Sequence, residues 1–210
     1  MRKWLGIFLI ITGVVMGLYH FSEWYTGQTA AEDLTEEEIE TYEEMVKEPE
    51  VLMPPPPDPS PLFTSDISRE PGEKTAVLLI PKIEQKYSVY WGADDATLKK
   101  GVGMFVSDLT TVPGGHGHTV LSGHRDTVFT GLQELQKKDE LLVEYEDKIY
   151  VYEITDTWIT DQHDRTVIVE KDSSTLTLTT CYPFDYIGFA PDRYIVQAKL
   201  ISTKDKKLNE

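Results

Sequence analysis

Residues 174–181 read STLTLTTC. Successive side chains of a strand point to opposite faces, so Thr175, Thr177, Thr179 and Cys181 share one face and Leu176, Leu178 and Thr180 the other. The segment is a strand with an apolar side, and it ends by presenting a thiol on its polar side just before the break at Tyr182 and Pro183. Working outward, further short runs rich in β-branched and aromatic residues predict strands at 75–81 (TAVLLIP), 119–122, 140–145, 149–157, 166–170 and 193–201. From residue 62 onward, helical stretches are few and brief, at 96–100 and 130–136. Many short strands punctuated by Gly, Pro and Asp predict an all-β barrel or sandwich rather than a doubly wound sheet. No internal repeat is visible.

Cys181 is the single cysteine of the 210 residues, which excludes an intramolecular disulfide and a Cys-rich metal site. A free cysteine is often a small buried hydrophobe. A thiol on a polar strand face beside a chain break is instead placed to be reached by substrate, and to react near pH 7 it needs a partner that favours the thiolate. The chain has five histidines. His124 stands out because it follows Gly123 at the end of the apolar strand TVLS, at a strand-to-loop edge where catalytic groups are commonly held. His20 lies at the end of an apolar N-terminal run, His163 in the polar loop TDQHDR, and His116 and His118 precede the TVLS strand. Attack on an amide carbonyl creates an oxyanion, for which a cationic donor serves. Arg193 opens the last strand, RYIVQAKLIS, and a hairpin turning through residues 182–192 would set it beside Cys181. The loop 182–192 also carries Tyr182, Phe184, Tyr186, Ile187 and Phe189, either as groove walls or as packing under a long hairpin.

These segments resemble the sortase family. TLTTC (177–181) matches the family's T-L-x-T-C signature, LSGHRDT (121–127) is similar to its histidine segment, and Arg193 occupies the arginine position on the strand after the cysteine. LLIPKIE (78–84), WGADDATLKKGVG (91–103) and the surroundings of Pro113 extend the likeness from about residue 75 to residue 201, and Cys181-Tyr182-Pro183 with a short N-terminal anchor resembles class D most. The resemblance implies a closed eight-stranded β-barrel with a few short helices, cysteine and arginine on adjacent strands, and the histidine on a loop beside them. It implies cleavage of an LPxTG-like or LPxTA-like sorting signal after its Thr, a thioester on Cys181, and transfer to an amine of a peptidoglycan precursor or another protein. In that scheme His124 moves protons, Arg193 holds the carbonyl oxygen, and Thr180, Tyr182, Phe184 and Tyr186 contact substrate. No metal and no cofactor is expected. His116, His118 and His124 as zinc ligands lack an evident fourth partner, and the acids form no calcium loop.

The ends of the chain define its setting. Residues 4–21 (WLGIFLIITGVVMGLYHF) contain no Asp, Glu, Lys or Arg and are long enough, at about 1.5 Å per residue, to span roughly 27 Å of hydrocarbon. Arg2 and Lys3 before the run and acids after it predict a cytoplasmic N-terminus (1–3), a membrane helix (4–21) and everything later outside. From Glu32 to Glu50 ten acids face one base, Lys47, which reads as a charged spacer, with Thr35 and Glu38 resembling a capping box of a solvated helix. MPPPPDPSP (53–61) predicts a polyproline stalk. The expected organisation is thus a linker at 22–61, a catalytic domain at 62–204 and a polar tail at 205–210. With 36 acids against 20 Lys and Arg, a net charge of -16 excludes a nucleic-acid partner held through phosphates. A cysteine peptidase or amidase, and a stalked surface-binding module with a structural cysteine, are the other functions this pattern accommodates.

Overall fold

The computed structural model describes residues 2–47, 61–186 and 188–206. Among the described residues nine strands form one sheet: β1 (Ala31–Asp33), β2 (Lys74–Ile80), β3 (Gln85–Trp91), β4 (Val102–Met104), β5 (His118–Ser122), β6 (Glu140–Tyr145), β7 (Lys148–Asp161), β8 (Thr175–Tyr182) and β9 (Asp192–Asp205). Their order is β1-β3-β2-β6-β7-β9-β8-β5-β4, and the additional pairing of β3 with β4 joins the two sides. Eight strands, β2 to β9, therefore close into a barrel, as the family resemblance implies. The free edge of β3 is divided: Gln85–Tyr87 pair with β1, and Val89–Trp91 pair in parallel with β4.

Period-two alternation decides what lies inside. Ala76, Leu78 and Ile80 of β2, Leu141 and Val143 of β6, Tyr152 and Ile154 of β7, Leu176 and Leu178 of β8, and Val196 and Ala198 of β9 meet in one buried core. The intervening Leu79, Leu142, Ile149 and Val151 point outward and are nonetheless buried, because a helix covers them. This helix, α2 (Glu36–Lys47), lays Ile39, Tyr42, Met45 and Val46 on that outer patch together with Leu34. Its start is the capping box read from sequence: Glu38 N donates to Thr35 Oγ1 at 3.2 Å, and Thr35 N donates to Glu38 Oε2 at 2.9 Å. The helix is not solvated all round, and the acidic stretch is more than a spacer. Its apolar stripe packs on the barrel while Lys86 reaches Glu38 at 2.8 Å. Burial beside the Glu144 carboxylate, which accepts from the Tyr42 hydroxyl, pushes the Tyr42 phenol upward.

The first helix, α1 (Arg2–Gln28), contains the apolar stretch Lys3–Ser22, twenty residues with none of its side chains buried. It runs further than the expected 4–21. Residues 53–60 of the expected stalk lie outside the described residues; its last residue, Pro61, enters the barrel through Phe63, which bridges to Thr111. The expected strand at 166–170 is an irregular loop. The Asp164 carboxylate accepts from Thr166 N and its hydroxyl, and the Val169 carbonyl is taken by a side chain rather than by a neighbouring strand. Its β-branched residues bury a loop instead of extending the sheet, with Val167 only 8% exposed. The short helices at 96–100 and 130–136 appear as one turn of α3 (Asp95–Leu98) and a 3-10 turn at Leu132–Glu134.

Candidate functional site

β8 and β9 run antiparallel, and their register sets Cys181 directly across from Arg193. Both stand on the outer face of the barrel, because Leu178 and Val196, which take the inner positions of the same two strands, lie in the core. β5 runs parallel to β8 on its other side, with Ser122 opposite Thr179, so the chain leaving β5 delivers His124 beside the end of β8. A tight turn follows: the His124 carbonyl accepts from Val128 N at 3.2 Å and from Phe129 N at 2.8 Å. This brings the Phe129 ring onto Gly123, where a Cβ would meet it at 2.8 Å. A glycine there lets the histidine loop lie against the core.

His124, Cys181, Arg193 and Thr180 line one groove of about 460 Å³. Its walls include the apolar side chains of Ala93, Leu98, Phe105, Val167, Ile168 and Ile195, together with the polar Thr160 and Asp161 at the end of β7 and Gln162 and Asp164 just after it. Hydrogen bonds from the Thr160 and Thr166 hydroxyls hold the Asp164 carboxyl below the usual carboxylate range. Cys181 and His124 are each partly exposed, so both can be reached. The Arg193 guanidinium curls toward its own loop, where Nη1 donates to Ala190 O at 3.1 Å and Asp192 O at 2.9 Å.

Of the other expected site residues, Thr180 lines this groove, whereas Tyr182, Phe184 and Tyr186 do not. Thr180 is buried, and its hydroxyl donates to Gly123 O at 2.7 Å, so its hydrogen bond is spent on the histidine loop. Tyr182 and Phe184 stack around Tyr194, with ring centroids 6.5 and 5.3 Å from it, and Phe184 packs on the barrel core. Neither they nor Tyr186, which is 56% exposed, belong to the groove lining. His118 is fully buried between Val169 O and Thr177 Oγ1, each at 2.7 Å, and His116 is exposed. Among the described residues no three His, Cys, Asp or Glu gather as metal ligands.

Sequence reading missed the groove walls, because they come from α3, the segments after β4 and β7, and β9, which only the barrel brings together. It also missed Arg125. Only 9% exposed, Arg125 donates from Nη1 to Pro183 O at 2.7 Å and from Nη2 to Gly188 O at 2.8 Å. Its position beside His124 was the available signal.

Comparison with known proteins agrees with this architecture. Residues 78–201 match the family described as Sortase domain. The chain is 41% identical over 134 residues to Sortase D of Bacillus subtilis (strain 168), covering 63% of this chain and 67% of that one. Among solved structures, the catalytic domain of B. anthracis SrtD is 65% identical with a TM-score of 0.59, covering 67% of this chain and 95% of that one. A Clostridium perfringens Sortase D5 transpeptidase is 31% identical with a TM-score of 0.58, covering 64% and 83%. A barrel of this topology, matched over this length, makes the chain a member of the sortase family of cysteine transpeptidases.

Proposed function

We propose that this sortase cleaves an LPxTG-like or LPxTA-like sorting signal after its Thr and joins the new C-terminus to an amine of a peptidoglycan precursor or of another protein. The observation that carries the reading is the direct pairing of Cys181 with Arg193 across β8 and β9, with His124 delivered to the same groove. The Cys181 thiolate attacks the Thr carbonyl carbon. The developing oxyanion accepts hydrogen bonds from Arg193, whose planar fork carries five N–H donors, two of them on the Nη1 already turned toward the loop. His124 gives its proton to the departing amine as the C–N bond breaks, which leaves a thioester on Cys181 and a neutral imidazole. The acceptor amine then attacks the thioester, His124 takes its proton, and Cys181 leaves as thiolate. An imidazole suits both transfers because it titrates near neutral pH. The apolar walls at Ala93, Leu98 and Ile168 suit the Leu-Pro end of such a signal.

The setting supports the same function. Lys3–Ser22 of α1 is long and apolar enough to cross a bilayer, and Arg2 and Lys3 before it favour a cytoplasmic N-terminus with the barrel outside. The proposed cargo is therefore surface proteins bearing the signal at their C-termini, met at the outer face of the membrane.

Incubation of the chain with LPxTG and LPxTA peptides, with and without an amine acceptor, tests this directly. Mass spectrometry is expected to find cleavage after Thr, diversion of product to the acceptor, and at least about a thousand-fold loss of rate in Cys181→Ala. Cleavage that ignores the acceptor at every concentration would mark a peptidase instead, and cleavage that persists in Cys181→Ala would remove the nucleophile assigned above.

A further inference from the structure

The regular ladder between β5 and β8 stops at Ser122 and Thr179, two positions before His124 and two before Cys181. Beyond the ladder, a pair of cross-links joins the two segments that carry the reactive side chains. On the near side, Gly123 N donates to Thr179 O at 3.2 Å, and the Thr180 hydroxyl donates back to Gly123 O at 2.7 Å. On the far side, Arg125 donates to Pro183 O at 2.7 Å. His124 thus lies between tied residues 123 and 125, and Cys181 between tied residues 180 and 183. The second arm of Arg125 reaches Gly188 O at 2.8 Å, in the same loop whose end is held by Arg193 through Ala190 O and Asp192 O.

Removing a guanidinium from water is costly unless its donors are satisfied. Arg125 accepts that cost to grip two backbone carbonyls, a task for which a rigid planar fork is suited and a lysine ammonium is not. The two carbonyls both lie on the connection between β8 and β9, so the grip ties it at Pro183 and at Gly188. That loop begins two residues after the thiol and ends at Arg193, so its displacement would shift the groups on both sides of the reacting carbonyl.

We propose that Arg125, with Thr180 as its counterpart on the near side, is a positioning residue that holds the His124 imidazole and the Cys181 thiol in reacting geometry and delivers the loop leading to Arg193. This rests on the roles assigned to Cys181, His124 and Arg193 above. Misplacement of reacting groups by about 1 Å costs on the order of a hundredfold in rate, which sets the scale expected.

The test compares full-length wild type, Arg125→Ala and Arg125→Lys in cleavage of the sorting-signal peptide and in alkylation of Cys181 by iodoacetamide across pH, a readout that needs no substrate. Arg125→Ala is expected to lose about a hundredfold in kcat while KM stays within about threefold. Arg125→Lys should fall in between, the pH profile of alkylation should shift in both variants, and added guanidinium ion should restore part of the alanine variant's kcat. A wild-type kcat and alkylation profile in Arg125→Ala would overturn the proposal, as would a loss confined to KM. Should the alanine variant fail to fold by circular dichroism, Arg125→Lys decides alone, and an unchanged kcat there overturns it. Failure of the underlying reading looks different: Cys181→Ala would then still cleave the peptide, whatever Arg125 does.

Discussion

His118 shows how a titratable side chain one strand away from the reactive pair is committed to structure. Gln197 Nε2 donates to Thr177 Oγ1 at 3.3 Å, the Thr177 hydroxyl faces His118 Nε2, and Nδ1 faces the Val169 carbonyl. A neutral imidazole protonated on Nδ1 completes this chain, and a second ring proton would point at a hydroxyl already oriented toward it. Burial lowers the His118 value below its ordinary 6.5, and nearby Lys171 lowers it further against the opposing effect of the Val169 carbonyl. Because the folded value is depressed, the contribution of His118 to stability is complete above pH 6.5. It is lost as pH falls from there through the lower folded value. Urea titrations from pH 8 to pH 5 should therefore show a steeper fall in wild type than in His118→Asn, which should be weaker at pH 8 but flatter toward acid. Parallel curves would contradict this assignment. The catalytic candidates were legible in the sequence because their chemistry is rare and ordered: one cysteine, one histidine at a strand end, one arginine opening the next strand. Arg125 was not, since its partners lie 58 and 63 positions away on a loop whose course no local pattern discloses. Thr180, expected at the substrate, lines the groove, and from its inner position on β8 its hydroxyl also donates to Gly123 O.

At the scale of elements, the strands that alternate cleanly and pair for their whole length were readable, and the exceptions have physical causes. β3 alternates Tyr87, Val89 and Trp91 inward, yet it follows a Pro-containing turn and was passed over. β4 is three residues long around Gly103, where a Cβ would come within 2.5 Å of the Gly92 carbonyl. Close backbone approach, not a side-chain pattern, makes it a strand. The helix α2 was expected from its capping box, but as a solvated one; no local pattern discloses the barrel surface that its Ile39, Tyr42, Met45 and Val46 pack on together with the preceding Leu34. Leu34 is 7% exposed, and burying such a side chain stabilises by about 1.5 to 3 kcal/mol. Leu34→Ala should therefore loosen α2 locally, raising hydrogen exchange of its amides by roughly ten- to a hundredfold while exchange in β7 and β9 stays as in wild type. Unchanged exchange in α2 would mean that the helix is not held by this patch.

For the whole molecule, the order of attachments matters. Only Thr29 and Ala30 separate α1 from β1, so the link to the barrel edge spans roughly 10 Å even when extended. β1 pairs with β3, Leu34 N donates to Glu84 O at 2.8 Å, and Gln85 Nε2 donates to Asp33 Oδ1 at 2.6 Å. With α1 in the bilayer as proposed, the barrel is held close to the membrane at this edge. The described residues on either side of 48–60 both contact the barrel, α2 through its apolar side chains and Phe63 through its bridge to Thr111. The groove, the register of Cys181 with Arg193 and the membrane-proximal attachment meet in one claim: Cys181 becomes acylated by a sorting signal. The most direct measurement is the intact mass of the full-length chain in lipid vesicles after brief exposure to an LPxTG or LPxTA peptide. The account predicts a wild-type adduct equal to the peptide's acyl fragment through Thr, mapped to Cys181, discharged by an amine and lost in Cys181→Ala. Peptide cleavage with no adduct on Cys181, or an adduct that persists in Cys181→Ala, would contradict it.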